Sequence, residues 1–266
     1  MLEAVTFDFW ETLAQDPPGN LRRTRDLCIE GLRDALRRAG LDRPLAAFQA
    51  AHDATGERLA ALFRTGVDAG TREQVRLFLE CLDPSLPAAL APGAWAALDE
   101  AYAAPALAFP PAVRPDAGAA LWALRDRRVR IGLISNTGRT PGRVLRVVLQ
   151  RAGMLEHFEA LTFSDEAGIR KPDPRVFRWT LNKLGARPEG AAHVGDNLHT
   201  DVAGAQAAGL RGIHVVNGAP APAPDPGVPN PAFDPESSAP VTPDAAIRSF
   251  DQLLAALEPF GLPPAP

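Results

Sequence analysis

Several features are scarce in this 266-residue sequence, and their scarcity excludes several kinds of protein. The two cysteines, Cys28 and Cys81, fall on the apolar faces of predicted helices. Two thiols form neither a disulfide framework nor a zinc site, so we expect both to be reduced core residues. No run of about 18 apolar residues is present, and no basic segment precedes the first apolar run. We therefore expect no membrane span, no secretory signal and a cytoplasmic location.

Charge shows no strong excess of either sign. Lys and Arg together number 28 against 32 Asp and Glu, a net charge of -4, so the chain lacks the basic face that nucleic-acid binding requires. Nucleic acid is not an expected partner. Lysine itself is rare, because Lys171 and Lys183 are the only two and arginine supplies the remaining basic charge.

The chain is long enough for two domains, or for one domain with a large insertion. Residues 4–9 form a short apolar run typical of a buried strand, with Asp8 near its end. From residue 20 to residue 104 the pattern is helical throughout. Four helices are predicted there: one capped by Asn20 and stopped by Gly40, one from Pro44 toward Gly66, one opening with a Thr71–Gln74 capping box, and one over residues 88–103.

After residue 105, short apolar strands alternate with helices. Such alternation is typical of right-handed crossovers and of a parallel sheet covered on both faces. We therefore predict an α/β core made of residues 1–15 and 106–266, with an all-helical insertion at residues 16–105. Residues 219–243 are rich in proline and nearly free of aliphatic pattern, which predicts an extended, mobile excursion from the core.

Polar residues at the ends of the predicted strands are the candidates for a functional site. In an open parallel sheet, ligands bind outside the carboxyl ends of the strands. Taken alone, each candidate has an ordinary explanation: a capping carboxylate, a turn-forming side chain or a solvated surface charge. What the candidates share is their place after successive predicted strands. They are Asp8, Ser135 with Asn136, Lys171, and Asp196 with Asp201.

Taken together, these side chains can handle an anion. Asp8 can attack as a nucleophile and form an acyl-type covalent intermediate that water hydrolyses. Ser135 and backbone N–H groups can hold the oxygens of the transferred group, while Lys171 balances its charge and keeps Asp8 ionised. Asp196 can bind a hard cation, of which Mg²⁺ fits best, with Asp201 as a supporting group or an alternate ligand.

Four stretches of the chain resemble the haloacid dehalogenase superfamily: FDFWETL, GLISNTG, RKPDPRVF and HVGDNLHTDVAGAQAAG. They occur in order at predicted strand ends, and the resemblance covers residues 1–15 and about 105–258. It implies a Rossmann-like core, a mobile helical cap inserted after the first strand, an aspartyl-enzyme intermediate and usually Mg²⁺.

The resemblance also assigns roles by matching position. The nucleophile is Asp8, the hydroxyl of Ser135 donates to phosphoryl oxygens, and Lys171 balances charge. The predicted catalytic residues are thus Asp8, Ser135, Asn136 and Lys171, and the predicted metal ligands are Asp8, Asp196, Asp201 and the backbone carbonyl of Trp10.

Trp10 marks a departure from the family's phosphatases. Those enzymes place a second Asp at this position, which protonates the leaving group and later activates water. An indole N–H cannot titrate near neutral pH, and loss of such an acid costs ~10²–10⁴-fold in rate unless another group replaces it. The backbone carbonyl that the metal would use is unaffected by the change.

Three interpretations stay open. In the first, the protein is a phosphatase-like hydrolase that uses Mg²⁺ and acts on a small phosphorylated, anionic metabolite, slowly or on esters with good leaving groups. In the second, it resembles the family's haloacid dehalogenases, which carry an aromatic residue at this position and expel a halide. In the third, Trp10 fills the pocket and the protein is a binding module on an enzyme fold. The first is our working prediction, because Asp196 and Asp201 are present and dehalogenation does not need them.

Overall fold

The computed structural model describes residues 1–217 and 240–265. Eight strands occur in these residues: β1 (Ala4–Phe7), β2 (Ala14–Gln15), β3 (Ala112–Val113), β4 (Arg130–Ser135), β5 (Ala160–Phe163), β6 (Ala191–Gly195), β7 (Arg211–Val215) and β8 (Ala245–Ile247). Six of them form one sheet in the order β5-β4-β1-β6-β7-β8, in which every neighbouring pair is parallel. The predicted α/β fold with a parallel sheet is confirmed.

Helices precede, connect and follow these strands. The α-helices of the described residues are α1 (Asn20–Arg38), α2 (Leu45–Phe63), α3 (Thr71–Leu82), α4 (Leu86–Ala89), α5 (Pro92–Ala103), α6 (Pro105–Ala108), α7 (Pro115–Asp126), α8 (Gly142–Arg151), α9 (Ser164–Ala167), α10 (Pro174–Leu184), α11 (Gly204–Ala208) and α12 (Leu253–Leu257). Short 3₁₀ turns lie at Leu155–His157, Pro188–Gly190, Phe250–Gln252 and Glu258–Phe260, and a π-helical turn lies at Leu198–Ala203.

The sheet is buried on both faces, because successive side chains of a strand point to opposite sides. In β1, Val5 and Phe7 belong to an apolar cluster that includes Leu121 of α7. Ala4 belongs to a second cluster that includes Phe177 of α10. Short strands made almost entirely of apolar residues are what a sheet covered on both faces requires.

Helices α1 to α6 lie between β2 and β3, and we call residues 20–108 the helical block. The block has its own apolar cluster, which includes Leu32 of α1, Phe48 of α2 and Phe78 of α3. Its two connections to the sheet run side by side, because β2 and β3 pair as an antiparallel ribbon. This arrangement agrees with an insertion after the first strand, while the division into separate core and cap domains stays a prediction.

The predicted cap of the first helix is wrong. Asn20 is the first residue of α1, and the N-cap is Gly19. The Asn20 amide instead donates to Asp16 Oδ1 at 2.6 Å and to the carbonyl of Phe109 at 3.0 Å. A contact with the residue that follows the helical block therefore takes the place of a local cap.

The third and fourth predicted helices also differ in detail. No side chain caps α3, whose N-cap is Gly70. The amide of Gln74 donates to the carbonyl of Gly138 at 2.9 Å, so it does not complete a capping box. The helix predicted over residues 88–103 is divided into α4 and α5, because Pro92 begins α5 and cannot continue a preceding helix.

Three other expectations concern single features of the chain. The Pro-rich stretch at residues 219–243 lies outside the described residues up to residue 239. Cys28 is buried, Cys81 is partly buried, and both are free thiols. None of the helices in the described residues combines the length and apolar content needed to cross a bilayer.

Candidate active site

The carboxyl ends of three adjacent strands bring the predicted residues together. Because β1 lies between β4 and β6, Asp8 after β1, Ser135 at the end of β4 and Asp196 after β6 share one edge of the sheet. The backbone N–H of Asp8 donates to the carbonyl of Val194 at 2.9 Å, which fixes its place. Lys171 reaches the same edge from the loop before α10.

The ammonium of Lys171 lies between two carboxylates. Its Nζ is 2.5 Å from Asp8 Oδ1 and 2.6 Å from Asp201 Oδ1, and all three side chains are almost fully buried. Burial alone would lower the pKa of Lys171, but Asp201 and Asp8 raise it above its ordinary value. Lys171 is therefore a permanent cation near neutral pH.

The two carboxylates beside Lys171 differ in pKa. Burial raises the pKa of Asp8 to about 7, an effect that Lys171 opposes and the charge of Asp201 increases. Burial would also raise the pKa of Asp201, but Lys171 and the hydrogen bond from His193 hold it below its ordinary value. Asp201 is thus the permanent anion of the site, whereas Asp8 depends on nearby positive charge to be ionised.

Asn136 holds the backbone of Lys171. Its Oδ1 accepts a hydrogen bond from the Lys171 N–H at 2.9 Å, and its Nδ2 donates to the Lys171 carbonyl at 3.1 Å. Both polar atoms of this buried amide are therefore used. The contacts suit a residue that positions Lys171 more than one that touches a substrate.

Ser135 differs from its neighbour because its hydroxyl has no partner in the part of the chain that the structure describes. Only 1% of the residue is exposed, and no atom of the described residues forms a hydrogen bond with its Oγ. Leaving a buried polar group unpaired costs roughly 1–3 kcal/mol. An unpaired donor on the strand next to that of Asp8 is what a site for an anionic ligand would provide.

Three carboxylates of the site could hold a metal ion. One oxygen from each of Asp8, Asp196 and Asp201 lies within 4.8 Å of the others. Burial, together with the charges of Asp201 and Asp8, raises the pKa of Asp196 well above its ordinary value. A hard divalent cation would relieve this repulsion, and carboxylate oxygens are ligands that Mg²⁺ accepts. The residues therefore fit a magnesium ion.

Both oxygens of Asp201 already have protein donors. Oδ1 receives Lys171 and lies 3.2 Å from His193 Nε2, and Oδ2 accepts from the Asn197 N–H at 3.0 Å. Gly195 permits this close approach, because a Cβ at that position would lie 2.3 Å from Asp201 Cγ. Of the two roles predicted for Asp201, these contacts favour the supporting group that anchors Lys171.

Trp10 stands in the turn that follows β1. Its partly buried ring lies edge-on to Phe9, with the ring centroids 5.1 Å apart, and packs against the apolar cluster of the sheet. Glu11 has a φ of 57°, which is uncommon for a residue other than glycine. Its N–H donates to the carbonyl of Ala14 at 2.8 Å, and its own carbonyl accepts from Asn217 Nδ2 at 2.8 Å. The turn is therefore held from both sides.

Two sets of polar contacts in the site have no signal in the local sequence. His193 of β6 connects Thr6 to Asp201, with Nδ1 lying 2.8 Å from Thr6 Oγ1. Thr12 Oγ1 donates to Asp196 Oδ1 at 3.4 Å. These partners of Thr6 and Thr12 are 187 and 184 residues away in sequence, so no local pattern marks either pair.

Comparison with known proteins identifies relatives of the chain. Residues 2–209 match the model of the haloacid dehalogenase-like hydrolases. Over 104 residues the chain is 43% identical to a phosphoserine phosphatase of Thermus thermophilus. The aligned residues make up 39% of this chain and 41% of that protein. The match therefore spans less than half the length of that relative. Over 222 residues the chain is 29% identical to a ribulose-1,5-bisphosphate 5-phosphatase of Halopiger xanaduensis, which covers 80% and 84% of the two chains.

A solved structure shows the same fold. The 2-haloacid dehalogenase from Pseudomonas syringae pv. Tomato DC3000 has a TM-score of 0.67 to this chain at 23% identity, over 98% of this chain and 100% of that one. The family match extends over the helical block and over the strand ends that carry Asp8, Ser135 and Asp196. The chain therefore belongs to the haloacid dehalogenase-like hydrolases.

Proposed function

We propose that this protein hydrolyses the phosphate monoester of a small organic metabolite, with Asp8 as the nucleophile and Mg²⁺ as the cofactor. The proposal rests on the contact of Lys171 with Asp8, beside the hydroxyl of Ser135, which has no partner among residues 1–217 and 240–265. A nucleophile, a balancing cation and an available donor at one strand edge suit the transfer of an anionic group. The names of the two matched phosphatases support the same class of reaction.

The proposed reaction has two steps. In the first, a carboxylate oxygen of Asp8 bonds to phosphorus while the bond from phosphorus to the ester oxygen breaks, and the released alcoholate takes a proton from solvent water. In the second, a water oxygen attacks phosphorus, the bond to Asp8 breaks, and inorganic phosphate leaves. Lys171 favours the ionised form of Asp8, and Ser135 donates to a phosphoryl oxygen.

The magnesium ion would be held by Asp8, Asp196 and the backbone carbonyl of Trp10, with Asp201 as a supporting group. Bound Mg²⁺ supplies positive charge that favours ionised Asp8 and offsets the charge of the phosphoryl oxygens.

Isothermal titration tests the metal site without any substrate. We predict that Mg²⁺ binds to wild type and not to Asp196→Asn, because an amide lacks the charge that attracts a hard cation. Asp34→Asn alters an exposed carboxylate of α1 and is the matched control, with binding expected to be unchanged. Equal binding by wild type and Asp196→Asn would remove Asp196 from the metal site.

Trp10 restricts which esters react quickly. No side chain at residue 10 can protonate the leaving oxygen, so the best substrates are esters whose alcohols leave as stable anions. The helical block is proposed as the cap that covers the substrate, and its residues would decide which metabolite is accepted.

A second candidate reaction is the displacement of halide from a 2-haloacid by Asp8. Trp10 favours this reaction, because a halide leaves without a proton. The carboxylate cluster of Asp8, Asp196 and Asp201 favours the phosphate ester, because displacement at carbon has no need of a divalent cation.

One pair of assays tests both candidates. Wild type and Asp8→Asn are compared for release of p-nitrophenol from p-nitrophenyl phosphate with Mg²⁺, and for release of halide from 2-chloropropionate. The proposal predicts phosphate-ester hydrolysis that disappears in Asp8→Asn. Halide release alone would replace the proposal by dehalogenation, and activity in neither assay would contradict both.

A further inference from the structure

We infer that Asp68 of the helical block is a positioning residue for the reaction, which holds in place the loop that follows Ser135 and the loop that contains Lys171. These are the loop after β4, residues 136–140, and the loop before α10, residues 168–173. The kinetic part of the inference rests on the proposed function, whereas the structural part does not.

The first contact of Asp68 is a buried ion pair with the residue before Lys171. Arg170 Nη1 lies 2.7 Å from Asp68 Oδ2, and the side chains of Arg170 and Asp68 are 1% and 0% exposed. The Arg170 guanidinium also lies over the ring of Phe63 in α2, 3.8 Å from its centroid. These two contacts join Arg170, which adjoins a residue of the site, to the helical block.

The backbones around this ion pair run together as a short antiparallel bridge. The Asp68 N–H donates to the carbonyl of Gly168 at 3.2 Å, and the Arg170 N–H donates to the carbonyl of Gly66 at 3.1 Å. Val67 pairs with Ile169 in this bridge. The segment between α2 and α3 therefore lies directly against the loop before α10.

The second contact of Asp68 leads to the other loop. Ser164 Oγ donates to Asp68 Oδ2 and accepts from the backbone N–H of Thr137 at 2.9 Å. Thr137 follows Asn136, whose side chain holds both backbone polar groups of Lys171. One carboxylate thus connects to Lys171 by two routes, through Arg170 and through Ser164.

This arrangement makes the position of Lys171 depend on the helical block. Replacing Asp68 removes the carboxylate that lies 2.7 Å from the buried Arg170 guanidinium, and losing one member of a buried ion pair is strongly destabilising. We expect the loop that contains Arg170 to rearrange. Displacement of a catalytic group by about 1 Å can cost on the order of 10²-fold in rate. Because Lys171 contacts Asp8 and Asp201, its displacement acts on the nucleophile more than on substrate binding.

The test compares Asp68→Asn with a matched control. Asp99→Asn also removes a carboxylate of the helical block, but its partner Arg72 lies within the block. Hydrogen–deuterium exchange is measured over residues 136–140 and 168–171, and kcat and KM are measured with p-nitrophenyl phosphate where circular dichroism shows each variant folded. We expect faster exchange in both segments and a fall in kcat of about 10- to 100-fold with little change in KM for Asp68→Asn alone.

Ser164→Ala removes only the connection from Asp68 to Thr137 and leaves the ion pair of Asp68 and Arg170 in place. It is expected to speed exchange over residues 136–140 while residues 168–171 keep the wild-type rate, and it decides the question if Asp68→Asn does not fold. The inference would be overturned if Asp68→Asn left the exchange of both segments unchanged, or if Ser164→Ala left the exchange of residues 136–140 unchanged. An unchanged kcat for Asp68→Asn would also overturn it. If wild type hydrolyses no phosphate ester, the proposed function fails, and the exchange rates alone decide whether Asp68 positions the loops.

Discussion

At the scale of single residues, some buried polar side chains of the candidate site have hydrogen-bond partners within the protein, and Ser135 has none among the described residues. Asp201 receives donors on both oxygens, and Asn136 uses both of its polar atoms, so these side chains are fixed before a ligand arrives. Ser135 Oγ has no partner among the described residues. Its unpaired state favours a role in binding ligand oxygens over a role in folding.

Ser135→Ala separates these two roles. We predict an unchanged or slightly higher temperature of thermal unfolding, since no hydrogen bond is lost, and a fall of ~10²-fold in kcat for p-nitrophenyl phosphate, typical of losing one donor to developing charge. Ser164→Ala is the comparison, because its hydroxyl binds Asp68 and Thr137 and its loss should lower the unfolding temperature. Equal destabilisation by both changes would argue against a ligand role for Ser135.

Trp10→Asp tests whether a missing acid limits the reaction. A carboxyl group there could protonate the leaving oxygen, so kcat for an alkyl phosphate should rise, by up to ~10²–10⁴-fold, while p-nitrophenyl phosphate should gain less. Trp10→Phe is the control, since it removes the indole without adding an acid. If the two variants hydrolyse the alkyl phosphate at the same rate, the proton comes from another group.

At the scale of secondary-structure elements, the strands were predicted better than the helix ends. A strand buried on both faces is a short apolar run, so β1, β4, β5, β6 and β7 stand out in the sequence, and parallel pairing places the residues that follow them at one edge. Helix ends were less predictable. Asn20 and Gln74 have the residue types of capping patterns, but their amides bind the carbonyls of Phe109 and Gly138 instead.

Contacts between distant segments also could not be predicted from local sequence. Arg170 and Asp68 are 102 residues apart, and no sequence pattern around either residue indicates that the two form an ion pair. The sequence predicts Asn136 as a catalytic residue from its place after a strand, and that role stays a prediction. Its hydrogen bonds to the Lys171 backbone could not be predicted in this way. Position along a strand indicates which residues reach the site, but the partners of each side chain depend on packing.

At the scale of the whole molecule, the helical block is joined to the sheet by buried polar contacts. Arg139, in the loop after β4, donates to His52 Nε2 and, at 2.9 Å, to the His52 carbonyl. The amide of Gln74 binds the same loop at Gly138. The block therefore contacts the loop after Ser135 as well as the loop that contains Lys171.

His52 should make the stability of the molecule depend on pH. Burial, with the charges of Arg139 and Arg25, lowers its pKa from 6.5 to about 2. Below pH 6.5 the unfolded chain protonates this histidine while the folded protein does not, so the free energy of unfolding falls as the pH falls. One such group contributes a slope of roughly 1.4 kcal/mol per pH unit.

The comparison is between wild type and His52→Gln, unfolded by urea at several values from pH 7 to about pH 5. The variant cannot take up this proton, so its free energy of unfolding should fall less steeply with acid than that of wild type. His193 and the other titrating groups are common to both proteins and cancel in the difference. Identical slopes would show that His52 is protonated in the folded protein.

Attack of Asp8 on phosphorus would leave a phosphoryl group on the protein during turnover, and this covalent intermediate can be trapped. Wild type is mixed with p-nitrophenyl phosphate and Mg²⁺, quenched in acid during turnover, digested and analysed by mass spectrometry. If Asp8 is the nucleophile, the peptide containing Asp8 gains the mass of one phosphoryl group, and the same peptide of Asp8→Asn gains none. Release of phosphate by wild type without that mass on the Asp8 peptide would show that Asp8 does not attack phosphorus.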